Sequence, residues 1–233
     1  FLIKAYDLII DCYGEFKELV QNANGGEQLT AYSGAQTLGN DYRQSILENN
    51  LFGVDLDYQA TEIATVNLLL KALQKGERLP TILDDNIKQG NSFLNGTPEE
   101  VADVLEISKE QARNMGAFNW KNEFKNVFDE NGGFDVIAGN PPWGADIEEI
   151  RQWIEHEEYG YELADGQYDS YELLIELGED ILTEDGTLGF IIPDSIFREE
   201  HEPLRKWLAT RHTIHKAHKL GEGVFEDVWS GTS

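Results

Sequence analysis

Phe134-Asp135-Val136-Ile137-Ala138 runs directly into Gly139-Asn140-Pro141-Pro142-Trp143. The first five residues read as a strand: they are short, rich in aromatic and β-branched side chains, and cut off by turn residues. Proline fixes φ and has no amide proton, so two in succession end the ladder and hold the chain on one course. A polar tetrapeptide thus sits at the carboxyl end of a strand, where open α/β sheets place their ligands. The Asn140 side-chain oxygen and the Pro141 carbonyl are two acceptors on a rigid frame. They suit a weak amine nucleophile. Held by both N–H groups, its nitrogen is drawn toward tetrahedral geometry and its lone pair is localised. Trp143 offers a flat face for a base, or for a sulfonium methyl by cation–π attraction. A bare Asn-Pro-Pro would be no more than a turn closing a strand. The aromatic in fourth place favours the chemical reading.

Outward from this point, strands alternate with helices. Leu51-Phe52-Gly53-Val54 is a short apolar run ending in Asp55, and a second strand lies near Ile87 to Gly90. Leu188-Gly189-Phe190-Ile191-Ile192 follows the turn Glu184-Asp185-Gly186 and stops at Pro193. These strands read as buried, and Ile214 to Leu220 reads as one more. Helical spacing marks Phe1 to Val20, with Leu2, Ala5, Ile9, Phe16 and Leu19 on one face. It also marks Gln59 to Lys75, with Ile63, Val66, Leu70 and Leu73 inward, and Tyr171 to Thr183, with Leu174, Ile175, Ile181 and Leu182 together. Pro98 to Gln111 reads as a charged, exposed helix, and Glu202 to Thr210 as a short one. Gln21 to Tyr42 reads as loop. The alternation predicts an α/β fold with a mostly parallel sheet covered on both faces.

Composition sets limits. No run of about 18 apolar residues is present to span a bilayer, and no signal-peptide pattern opens the chain. The single cysteine, Cys12, excludes an internal disulfide, suits a reducing cytoplasm, and reads as a small buried hydrophobe on a helix. Asp plus Glu number 44 against 18 Lys plus Arg, a formal net charge of -26. A polyanion-binding protein should show a basic face. Either the partner is not a polyanion, or the protein works in concentrated salt. The acidic residues are scattered rather than massed in a tail, which favours salt. At about 1 M the Debye length is only about 3 Å, and distant like charges hardly repel.

Asn140-Pro141-Pro142-Trp143 resembles the (Asn/Asp/Ser)-Pro-Pro-aromatic motif of amino-methyltransferases. Most of the chain is similar, in collinear order, to the γ-class N6-adenine DNA methyltransferases of restriction–modification systems. Phe1 to Asp7 resembles the helix after that family's Gly-rich cofactor loop. Phe52-Gly53-Val54-Asp55-Leu56-Asp57 resembles its acidic strand end, and Gly90 to Leu94 the next motif. Asp169-Ser170-Tyr171 and Leu188 to Pro193 fit the segments after the catalytic loop. Leu220 to Phe225 resembles the segment whose aromatic stacks on the flipped base.

The resemblance implies a Rossmann-like S-adenosylmethionine-dependent methyltransferase fold with a doubly wound sheet, incomplete at the N-terminus. Residues 1–233 are then expected to be part of a catalytic domain, with an insert at 95–133. The first strand with its Gly-rich loop, and a target-recognition domain, are expected outside it. Phe1 as the first residue and Met115 as the sole methionine fit a fragment.

The resemblance further assigns Asn140, Pro141, Pro142 and Trp143 to catalysis. S-adenosylmethionine would be held by Asp55, Leu56, Asn91, Ser92 and Asn140. Asp55 would take the ribose hydroxyls, as at other nucleotide-binding strand ends; its bland reading is a helix N-cap, a part Asp57 fills better. Trp143 and Phe225 would sandwich a base flipped from double-stranded DNA. A restriction endonuclease, fused or separate, is the expected partner, the compartment is the cytoplasm, and no metal is required. His201, His212, His215 and His218 lack the spacing of a metal site and read as solvated surface. Two other readings stand beside this one. A protein-glutamine or ribosomal-RNA-base methyltransferase would share the Asn-Pro-Pro-aromatic loop. An inactive gene fragment or a DNA-recognition partner would need no chemistry.

Overall fold

The computed structural model describes residues 1–23, 42–72 and 86–220, with side chains placed for all but 13–23, 42–44 and 72. Helices and parallel strands alternate through them. The chain opens with α1 (Leu2–Ala23) and α2 (Tyr42–Asn49), then β1 (Gly53–Asp55), α3 (Tyr58–Ala72) and β2 (Ile87–Gln89). Strand β1 pairs with β2 in parallel, Gly53 opposite Ile87 and Asp55 opposite Gln89. Tyr6, Ile46, Leu47, Leu51, Leu68 and Ile87 form the core beneath this pair. Asn86 is 5% exposed. Its Nδ2 lies 2.8, 3.0 and 3.1 Å from the carbonyls of Leu47, Glu48 and Leu51, so a side chain serves the carbonyls left over at the end of α2.

The second half carries β3 (Phe134–Gly139), α9 (Ser170–Ile181), β4 (Leu182–Phe190) and α10 (Glu202–Arg211). Strand β3 pairs with β4 in parallel, with Gly139 opposite Phe190. The expected turn Glu184-Asp185-Gly186 appears as a bulge, because Phe134 faces Leu182 while Val136 already faces Thr187. Among the described residues the four strands form two parallel pairs. Their beginnings are joined by aromatic rings: Phe52 meets Phe134 at 5.6 Å and Phe124 at 5.5 Å. No helix among the described residues is long and apolar enough to cross a membrane.

Between the pairs lie α4 (Pro98–Leu105), α5 (Lys109–Asn114), α6 (Trp120–Glu123) and α7 (Lys125–Asn131); α8 (Arg151–Ile154) follows β3. The expected single exposed helix over Pro98 to Gln111 is two helices. Thr97 with Glu100 and Ser108 with Gln111 form two capping boxes, and Glu106 turns between them at φ 54. Nor is it exposed: Val101, Ala102, Val104 and Ala112 are buried with Trp153, Ile154 and Leu173. Further along the same segment, Phe118, Phe124 and Val127 are buried against Phe52, Val54 and Phe134.

Other sequence expectations also change. Ile63, Val66 and Leu70 of α3 point outward, at 63%, 53% and 63% exposure, while Leu68 is fully buried. Polar and apolar residues are mixed round that helix, so spacing alone could not choose its inner face; Leu73 lies outside the described residues. Strand β3 is not fully buried, since Val136 is 68% exposed. Cys12 is on α1 but exposed. Ile214 to Leu220 carries no regular element and is exposed throughout.

Candidate functional site

The tetrapeptide leaves β3 where expected, at the carboxyl end. The ladder runs one step beyond the strands, with Ile191 N donating to Gly139 O at 3.1 Å, and Asn140 then turns away. Pro141 is buried and Asn140 and Pro142 are exposed. The Asn140 carboxamide makes no hydrogen bond to the described residues, so it is free to meet a ligand. Trp143 is 36% exposed, and its indole N–H donates to Ile191 O at 3.3 Å. The ring is therefore tethered at its edge.

Beyond Trp143 the loop is tied to α9. Gly144 N donates to Asp169 Oδ1 at 2.7 Å, and Ala145 N to Ser170 Oγ at 3.1 Å. Ser170 Oγ donates to Pro142 O at 2.8 Å. Asp169 N in turn donates to Glu172 Oε1 at 2.9 Å, and His201 Nδ1 stands 2.7 Å from the same oxygen. His201 is only 7% exposed, so the expectation of a solvated histidine fails there: Glu172 supplies the polar partner that burial demands. His212 pairs with Glu179 at 3.2 Å, whereas His215 and His218 are exposed. The sequence resemblance marked Asp169-Ser170-Tyr171 as a segment without giving the Asp169 and Ser170 side chains a role, and Glu172 was not singled out. Asp169 followed three residues later by Glu172, at the head of an apolar helix, is the signal of a helix start that could have found them.

Asp55 ends β1, exposed. Its Oδ1 accepts from Asp57 N at 2.8 Å, while Asp57 Oδ1 accepts from Gln59 N at 2.8 Å. Asp57 is thus the cap of α3 and Asp55 is not. Gly90 N donates to Asp55 O at 2.9 Å, which brings Asp55 and the Asn91-Ser92 turn to one end of the β1–β2 pair. Leu56 is 60% exposed beside them.

Asn91 is shaped by its surroundings. Its Oδ1 accepts from Phe93 N at 3.1 Å, and its amide donates to Gly116 O at 2.8 Å. A Cβ on Gly116 would stand 3.0 Å from Asn91 N, and one on Gly90 would stand 2.3 Å from the Phe118 ring. The segment 116–118 therefore backs the turn closely.

The segment 161–163 joins the Asn91-Ser92 turn to α9. The Tyr161 hydroxyl donates within 3.2 Å of both Ser92 O and Phe93 O. Burial, with Glu176 nearby, pushes its ionisation far above the usual tyrosine range, so it remains a donor. The next amides, Glu162 N and Leu163 N, donate to Glu176 of α9 at 2.7 and 2.8 Å. Asp55 and Asn91 thus share one strand end and Asn140 and Trp143 another, and hydrogen bonds through residues 161–163 and α9 connect them. Phe225 lies outside the described residues.

The chain matches the family model of the Eco57I restriction-modification methylase over residues 49–225. It is 32% identical over 242 residues to the type II restriction enzyme and methyltransferase RM.Eco57I of Escherichia coli, covering 95% of this chain and 21% of that protein. It is 25% identical over 221 residues to RM.MjaORFECS2P of Methanocaldococcus jannaschii, covering 91% of this chain and 18% of that one. The chain thus spans about a fifth of the length of the curated relatives it matches. No solved structure gives a significant match.

Proposed function

The chain belongs to the Eco57I restriction-modification methylase family, and from that membership we propose that it carries out methyl transfer from S-adenosylmethionine to N6 of an adenine flipped out of double-stranded DNA. A restriction endonuclease, fused or associated, is the proposed partner, in keeping with the name of RM.Eco57I. The observation that carries the chemistry is Asn140: an exposed carboxamide without a hydrogen bond to the described residues, at a strand end, with Pro141 buried beside it.

The Asn140 oxygen and the Pro141 carbonyl would each accept one N–H of the exocyclic amine. That orients the nitrogen and localises its lone pair. Such acceptors act mainly in the transition state, where the amine is tetrahedral. Trp143, tethered at its edge, offers its face to the extruded base and offsets part of the unstacking cost, a few kcal/mol in order of magnitude.

The β1–β2 end fits the cofactor in part. The Asp55 carboxylate is exposed at a strand end and only its Oδ1 takes an amide of the described residues, so Oδ2 remains for ribose hydroxyls. Leu56 and Ser92 would flank the nucleoside. Asn91, whose oxygen is already used within its own turn, would shape the wall rather than grip the ring. S-adenosylmethionine supplies the activated methyl group; holding the amine in line is the work of Asn140, Pro141 and Trp143.

Labelled S-adenosylmethionine incubated with duplex DNA and the natural polypeptide containing this chain should yield N6-methyladenine on nucleoside analysis. Asn140→Ala should lower transfer about 10²-fold or more, by analogy with the loss of one oriented transition-state hydrogen bond, while DNA binding persists. Label in cytosine would overturn the adenine assignment. Label in protein or RNA, with none in DNA, would overturn the substrate.

A further inference from the structure

The Asn140–Trp143 loop is not held by its own strand alone. Pro142 O, Gly144 N and Ala145 N all meet the first turn of α9, on Ser170 Oγ, Asp169 Oδ1 and Ser170 Oγ respectively. That turn is fixed from behind by Glu172, whose Oε1 takes both Asp169 N and the contact from His201. Glu172 is 2% and His201 7% exposed. A buried acid is costly unless its oxygens are occupied, so this pair is a demanding device at that place. Starting a helix needs only a capping side chain and local amides. It does not need three contacts to a segment 25 to 28 residues earlier, nor a histidine 29 residues later closing on the capping glutamate.

We propose that Asp169 and Ser170 are positioning residues for the Asn140–Trp143 loop, set in place by the buried Glu172–His201 contact. This rests on Asn140 being the site of methyl transfer. Pinning one carbonyl and two amides just past Asn140-Pro141 prevents the loop from rotating as a unit. The two acceptors then keep their directions when an amine arrives. A misplacement of about 1 Å at such a site can cost about 10²-fold in rate.

Two readouts test it in the natural polypeptide that contains this chain. The first is hydrogen exchange at the Gly144 and Ala145 amides. The second is steady-state methyl transfer to DNA. Ser170→Ala should speed exchange at Ala145 selectively and lower kcat about 10- to 10²-fold, with KM for S-adenosylmethionine little changed; Ser170→Thr should restore both. His201→Phe should loosen the Gly144 amide and lower kcat in the same sense, and His201→Asn, which keeps a donor near Nδ1, should be milder. Unchanged exchange in Ser170→Ala overturns the clamp. Faster exchange with unchanged kcat overturns its positioning role, as does exchange accelerated equally throughout the fold. A wild-type polypeptide that transfers no methyl to DNA overturns the reading of the site itself, and the exchange result then decides the clamp alone.

Discussion

The indole N–H of Trp143 donates to Ile191 O at 3.3 Å, so the ring that ends the tetrapeptide is hung from the residue just past the neighbouring strand. Its exposure of 36% leaves a face for stacking while the edge is fixed.

Trp143→Phe removes the tether and keeps a ring; Trp143→Ala removes both. Stacking is worth about 1–3 kcal/mol per base. Trp143→Ala should therefore weaken capture of an extruded base by roughly that amount, and Trp143→Phe by less. Fluorescence of 2-aminopurine at the target position reads extrusion directly. Equal extrusion by wild type and Trp143→Ala would remove the base-stacking role.

Glu176 predicts a pH dependence. Burial raises its pKa above the ordinary 4.5; the Leu163 and Glu162 amides oppose that shift, and the charges of Glu162 and Glu179 add to it. With the folded pKa above the unfolded one, the folded state holds more protons through the interval between them. Stability from this group is then fully present below about pH 4.5 and is lost as pH rises through the folded value. The Tm of wild type relative to Glu176→Gln should accordingly decline with pH across that interval. A difference that is flat, or that grows with pH, would contradict the assignment.

Placement of the candidate residues was legible where the structure is local. Asn140-Pro141-Pro142-Trp143 after an apolar strand, and Asp57 as a cap, need only neighbours in sequence. Burial was less legible. In α3, Ile63 and Val66 are as apolar as Leu68, and only the partners Tyr6, Ile46 and Ile87 select Leu68 as the inner residue. In α4, Val101 and Val104 are hidden among charges, and the break at Glu106 was signalled by Ser108 and Gln111. His201 looked like surface because nothing near it in sequence announces Glu172.

Salt should stabilise this chain. With 44 acidic and 18 basic residues, repulsion outweighs the exposed ion pairs, each worth only about 0–1 kcal/mol. Raising KCl from about 0.1 M to about 2 M shortens the screening length from about 10 Å to under 3 Å. Tm by circular dichroism should rise over that range. A Tm that stays constant or falls would reject a surface adapted to concentrated salt.

Gly116 gives the sharpest test of the wall behind the proposed cofactor end. Its φ is +84, and an added Cβ would stand 3.0 Å from Asn91 N and 3.1 Å from Asn91 Cβ. A backbone nitrogen cannot swing aside as a side chain can, so the Asn91 turn must shift and strain its 2.8 Å bond to Gly116 O. Gly132 has a similar φ of +78, at the end of α7, with nothing within 4 Å of its Cβ position. Alanine at either position carries the same left-handed penalty, about 1–2 kcal/mol. That should lower Tm by a few degrees in a chain of this size. Only Gly116→Ala also pushes on Asn91. Calorimetric titration of S-adenosylmethionine into the natural polypeptide should therefore show weaker binding for Gly116→Ala than for Gly132→Ala, at matched loss of stability. Wild-type affinity in both variants would mean that the Asn91 turn does not form part of the cofactor wall. Equal losses in both would mean that affinity merely follows stability.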